Sequence, residues 1–189
     1  MTAVVLIDPK TPYNVGAAIR ACSIYGVETL RWTGTRISTA EGRRKAGSGL
    51  KNKPRLPREE RLKDYTNVDW QEAPDGVITE LAEAHNLTPV AIEIVSGAER
   101  LDMFVHPERA LYVFGPEDGS ISPGTLSVCH RFVQIPSATR TPLNLASAIA
   151  VVLYDRHAKQ LMHDDFMETF TEAMVSRIER PGEPSARTS

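Results

Sequence analysis

Four polar residues stand where their side chains could do chemistry. Asn14 and Arg20 lie six positions apart in Asn14-Val15-Gly16-Ala17-Ala18-Ile19-Arg20, Glu117 follows Gly115-Pro116, and Asn144 opens a helical pattern. An amide and a guanidinium donate to a phosphate or to an oxygen on which negative charge develops, while a carboxylate accepts from a hydroxyl. Each residue also has a plainer use. Asn14 and Asn144 suit helix caps, Arg20 a solvated helical cation, and Glu117 a carboxylate in an exposed turn. The five histidines are scattered without metal-ligand spacing, and Cys22 and Cys129 have neither a CxxC neighbour nor a histidine cluster. No metal centre and no disulfide is expected, and both thiols are expected to be free and half-buried.

The elements that must carry these residues alternate. Ala3 to Ile7 is a continuous apolar run ended by Asp8-Pro9, as in a strand buried on both faces of a parallel sheet. Thr11 to Asn14 supplies turn and cap residues, and Val15, Ala18, Ile19 and Cys22 recur at helical spacing until Gly26. Strands are expected at Val27 to Trp32, Val68 to Trp70, Pro89 to Val95, Ala110 to Phe114 and Phe132 to Ile135. Helices are expected at Asp75 to His85, Asn144 to Leu161 and Asp164 to Ile178. Gly34 to about Leu62 reads as a long loop. The pattern implies an α/β fold, a mostly parallel sheet with helices on both faces, whose ligands sit beyond the carboxyl ends of strands. Asp8 to Asn14, Gly115 to Gly119 and Pro136 to Asn144 are three such ends. No GxGxxG or GxxxxGK[ST] accompanies them, so neither a dinucleotide site nor a P-loop is supported.

With 189 residues, 41% hydrophobic and 24% charged, the chain is long enough for one sizeable core. A single domain over residues 1–179 is expected, with residues 180–189 as a tail too polar and too rich in Pro and Gly to fold alone. No run approaches the roughly 18 apolar residues of a membrane span, and the start lacks a basic stretch followed by an apolar one. A cytoplasmic protein without a membrane partner is the expectation. The net charge of -2 argues mildly against nucleic acid as a partner, but its distribution argues the other way. Arg43 to Lys63 holds nine basic residues against Glu59 and Glu60, a local charge of 9 − 2 = +7, which leaves −9 for the remainder. By itself such a run reads as a solvated loop.

Three segments taken in order resemble the signature motifs of the SpoU-TrmH (SPOUT) superfamily of RNA methyltransferases. They are Asn14-Val15-Gly16-Ala17-Ala18-Ile19-Arg20; Ala110-Leu111-Tyr112-Val113-Phe114-Gly115-Pro116-Glu117, followed by Asp118-Gly119; and Gln134-Ile135-Pro136 followed by Leu143-Asn144-Leu145. In length the chain is similar to the minimal single-domain subgroup, which includes tRNA (cytidine/uridine-2′-O-)-methyltransferases. The resemblance implies a C-terminal deep trefoil knot and a homodimer with its active sites at the subunit interface. It also implies S-adenosylmethionine as methyl donor, no metal, and methylation of a ribose 2′-hydroxyl of RNA, transfer RNA ahead of ribosomal RNA. Pro142 departs from the pattern: the family usually carries serine there, and proline has no N–H to donate.

Residue by residue, the resemblance makes Arg20, Asn14, Glu117 and Asn144 the catalytic set. It puts the adenine of the cofactor at strand ends near Glu93, Gly115 and Ile135 and beside Leu143. With RNA as substrate, Arg43, Arg44, Lys45, Lys51, Lys53 and Arg55 become the expected contacts to its backbone. Arg20 is often described in related enzymes as the base, yet a guanidinium stays protonated, with a pKa above roughly 12. Holding a phosphate and a developing alkoxide suits it better. Two alternatives stand beside this reading: a base-nitrogen methyltransferase of the same knotted fold, and a non-catalytic RNA-binding member. The Asn14-x-Gly-x-x-x-Arg20 pattern argues against the first, and the presence of all four polar residues argues against the second.

Overall fold

The computed structural model describes residues 1–38, 67–139 and 141–178. The strands are β1 (Thr2–Leu6), β2 (Thr29–Trp32), β3 (Asp69–Glu72), β4 (Thr88–Ile92), β5 (Glu99–Arg100), β6 (Ala110–Phe114) and β7 (Arg131–Gln134). Together they make one seven-stranded sheet among the described residues, in the order β3-β2-β1-β6-β4-β7-β5. Every pairing is parallel. The helices are α1 (Pro12–Ile24), α2 (Val77–His85), the single turn α3 (Pro123–Leu126) and α4 (Leu145–Ile178).

A parallel sheet needs apolar cover on both faces, and β1 and β6 are buried at every position, with Thr2 their one polar residue. Successive side chains alternate between two cores. Val4, Leu6, Tyr112 and Phe114 join Val15, Ile19, Leu145, Ile149 and Val152 on one face, where α1 and the start of α4 pack. Ala3, Val5, Leu111 and Val113 join Val77, Ile78 and Leu81 of α2 on the other. Withdrawing each larger apolar side chain from water contributes about 1.5–3 kcal/mol. These two layers hold the strand ends, and hence the site, in place.

Residues Met1–Asp155 form one compact unit, and Arg156–Ser189 a second. The second is described as far as residue 178 and is helical there, as the continuation of α4. The sequence pattern places a break near residues 162–163 between two helices. Instead α4 is continuous, because Leu145–Ile178 contains neither glycine nor proline and polar composition alone does not end a helix. The short β5, α3 and a 3-10 turn at Leu101–Met103 are additions to the expected elements. Both cysteines are free and buried rather than half-buried, Cys22 completely. Burial raises both thiols, Cys129 to about 11 and Cys22 further still.

Candidate active site

Thr11 begins α1 as its N-cap, accepting from the Asn14 amide at 3.3 Å, and Pro12 fills the first helical position, where no N–H is needed. Asn14 is therefore not the cap. It sits one turn in, 4% exposed, so its buried amide must find partners. Asn14 Nδ2 donates to Glu117 Oε1 at 2.6 Å, and Asn144 Nδ2 donates to Asn14 Oδ1 at 3.3 Å. Asn144 in turn caps α4, its Oδ1 accepting from the Ala146 amide at 2.9 Å and its carbonyl from Ala148. One hydrogen-bonded line thus joins the exit of β6, the start of α1 and the start of α4. Separations of 103 and 130 residues in sequence close here.

The second oxygen of Glu117 is engaged as well, by the backbone N–H of Lys10 at 2.8 Å. The turn after β1 and the turn after β6 are thereby joined. Arg20, six residues past Asn14, is turned roughly 120° from it about the helix axis at about 100° per residue. It is exposed and does not line the cleft beside Glu117. Arg43, Arg44, Lys45, Lys51, Lys53 and Arg55 lie outside the described residues.

That cleft has a volume of about 170 Å³ and lies at the carboxyl ends of β4, β6 and β7. Glu93, Gly115, Ile135 and Leu143 all line it, and Glu117 forms part of its wall. Ile92, Phe114, Leu145 and Ala148 add apolar surface. Pro142 lines it too, offering a carbonyl but no N–H. The Glu93 carboxylate is committed within the protein, accepting from the amides of Ile94 at 3.0 Å and Ile121 at 2.9 Å. What this strand end presents to the cleft is therefore mainly peptide. Gly115 has a packing reason as well: a Cβ there would lie 3.0 Å from Ile121 Cγ1 and 3.4 Å from Glu93 Oε2. Apolar walls edged by peptide groups suit a flat heteroaromatic ring, which stacks on side chains and pairs its nitrogens with backbone. No group of His, Cys, Asp and Glu that would hold a metal occurs among the described residues.

Beside Glu117 lies an ion-paired cluster in which two of the strand ends expected to carry ligands meet Arg36, a residue that sequence patterning does not single out. Arg36 Nε donates to Asp8 Oδ2 at 2.9 Å and Arg36 Nη1 to Asp118 Oδ1 at 2.7 Å, with Lys10 Nζ 3.7 Å from Asp118 Oδ2. The hydrogen bond from Arg36, assisted by the charges of Arg36 and Lys10, holds the Asp118 carboxyl below its ordinary range. No local pattern marks Arg36, because only the fold brings it to these strand ends.

Comparison with known proteins agrees with this architecture. The model of the SpoU rRNA Methylase family matches residues 1–154. The chain is 25% identical over 173 residues to the tRNA (cytidine-2'-O-)-methyltransferase TrmJ of Methanocaldococcus jannaschii, covering 85% of this chain and 69% of that protein. Among solved structures, one concerned with 2-OH methylation of C/U34 on tRNA is similar with a TM-score of 0.62 at 22% identity, covering 85% of this chain and 91% of that one. The SpoU methyltransferase AviRb from Streptomyces viridochromogenes, in complex with the cofactor AdoMet, is similar with a TM-score of 0.65 at 19% identity. That match covers 84% of this chain and 57% of AviRb, so the chain spans little more than half the length of such relatives. Taken with the three motifs and the parallel sheet that unites them, the match over residues 1–154 shows that the chain belongs to the SpoU methylase family.

Proposed function

We propose that the protein transfers a methyl group from S-adenosylmethionine to a ribose 2′-hydroxyl of transfer RNA. The observation that carries this reading is the line Glu117, Asn14, Asn144, which meets a cleft of adenine-compatible character at Glu117. When bound, the cofactor supplies a methyl group on a sulfonium, activated for in-line displacement without a metal. Glu93, Gly115, Ile135 and Leu143 would hold its adenine, chiefly through peptide groups and apolar contact. Asn14 has its amide orientation fixed by a donor on one side and an acceptor on the other. Both Glu117 oxygens keep a lone pair beyond the bonds already made, so the carboxylate can accept from a ribose hydroxyl.

Arg20 supplies the remaining charge. Staying protonated, it holds the neighbouring phosphate and stabilises the alkoxide that develops on the 2′-oxygen, while the proton leaves to water. Its placement, turned away from Asn14, supports a homodimer in which Arg20 serves the cleft of the other copy. Exposed apolar side chains fit that arrangement: Tyr13 and Ile24 on α1, Val151 and Tyr154 on α4, are 46%, 64%, 38% and 59% exposed. The trefoil knot belongs to the same reading. From β7 the chain returns across the ends of β4 and β6 to set Asn144 against Asn14, the path that a threaded C-terminal segment would take.

Relatives named for 2-OH or 2'-O methylation of tRNA support the sugar and the substrate class. Calorimetry with S-adenosylmethionine, followed by incubation with tRNA and labelled methyl donor, tests the proposal. Cofactor binding with label in a 2′-O-methylnucleoside is expected. Absence of cofactor binding would leave a non-catalytic RNA-binding protein, and label on a base nitrogen would make the protein a base methyltransferase.

A further inference from the structure

We propose that Arg36 is a positioning residue for Glu117, clamping the turn after β6 to the exit of β1. The inference rests on the reading of Glu117 as part of the active site. Arg36 lies just past the exit of β2 and uses two different nitrogens, one on Asp8 after β1 and one on Asp118 after β6. Three strand ends are thus tied through one side chain. The residue beside Asp118 is Glu117 itself, and Lys10 touches both: its ammonium lies 3.7 Å from Asp118, and its backbone N–H holds Glu117.

The backbone is shaped to make this contact. Asp8 takes a left-handed conformation (φ 42°), and Gly34 another (φ 80°). A Cβ on Gly34 would fall 2.2 Å from Asp8 Oδ1, so only glycine lets the two strand exits approach closely enough for Arg36 to bridge them. The cluster is no phosphate site. Arg36 and Lys10 face Asp8, Glu117 and Asp118, and a third carboxylate leaves the group acidic. Nor does it serve mainly as a source of stability, because the side chains of Arg36 and Asp118 are 38% and 42% exposed, and exposed pairs contribute little. What two fixed ion pairs do supply is geometry, and a displacement of about 1 Å at a reacting group costs on the order of 100-fold in rate.

The test is a double-mutant cycle on turnover, with cofactor affinity and melting temperature measured alongside. Arg36→Ala is expected to lower kcat by roughly 10- to 100-fold while cofactor Kd changes less than about twofold. Arg36→Lys, which keeps the charge but not the fork, recovers part of the loss. Asp118→Asn cuts the other end of the clamp, leaves the Arg36 to Asp8 pair intact, and lowers kcat similarly, so the inference stays testable if Arg36→Ala fails to fold. Combined with Glu117→Gln, Arg36→Ala adds no further loss. Full kcat in Arg36→Ala beside an inactive Glu117→Gln would overturn the clamp and spare the site. Additive losses in the double variant would also overturn it, by showing that Arg36 acts independently of Glu117. A Glu117→Gln protein turning over at the parental rate would remove the reading of the site and the clamp with it.

Discussion

Asn14 illustrates how far single residues can be read. Its type and place before an apolar helical pattern suit a cap, yet Thr11 takes that part, and Asn14 is drawn inward to Glu117 and Asn144. The motif resemblance groups these three residues, whereas composition alone gives no reason to. In the proposed reaction Arg20 is the residue on which the chemistry turns. Arg20→Ala is expected to lower turnover by about 100- to 1000-fold, the scale of losing a donor to a developing oxyanion, with cofactor affinity and melting temperature nearly unchanged. A parallel fall in melting temperature would mark the arginine as structural. Cys22 gives a simpler check: fully buried and with its thiol raised by burial, it should react with a thiol reagent only after unfolding.

At the scale of elements, sequence pattern is most informative where burial is continuous. The run Ala110–Phe114 is β6 to the residue, since every position is buried on one face or the other. Pattern fails for β5, whose two residues are too few for any period, and for α4, where His163-Asp164-Asp165 imitates a break in an unbroken helix. It fails also for Arg36 and Asp118, 82 residues apart, whose pairing depends on the strand order. The element ends carry two predictions. Gly34→Ala must relieve both a left-handed backbone and a clash with Asp8, and is expected to destabilise by more than about 1 kcal/mol, seen as a lower midpoint in urea. The ion pair beside it is sensitive to acid. Arg36 depresses the folded-state pKa of Asp118, so its contribution is present above the unfolded value of about 3.9 and is lost as pH falls through the lower, folded value. Asp118→Asn should therefore flatten the acid limb of the stability profile without altering stability's dependence on pH above neutrality.

For the molecule as a whole, the charge map and the site point to one substrate. A chain of net charge -2 that concentrates nine basic residues between Arg43 and Lys63 can meet a polyanion there. Replacing Arg43 and Arg44 by Ala should lower the slope of log affinity for tRNA against log salt by about 1 for each phosphate that is no longer neutralised; an unchanged slope and affinity would leave the segment as solvated surface. Sedimentation at micromolar concentration should give a dimer. The most direct test of 2′-O-methylation uses the chemistry of RNA itself. In alkali each 2′-oxygen attacks its neighbouring phosphodiester, and a methyl group on that oxygen blocks cleavage at one bond only. End-labelled tRNA treated with enzyme and S-adenosylmethionine, then partially hydrolysed in alkali, should show one missing band at the modified nucleotide. Methyl incorporation with a complete ladder would contradict ribose methylation and place the methyl group on a base.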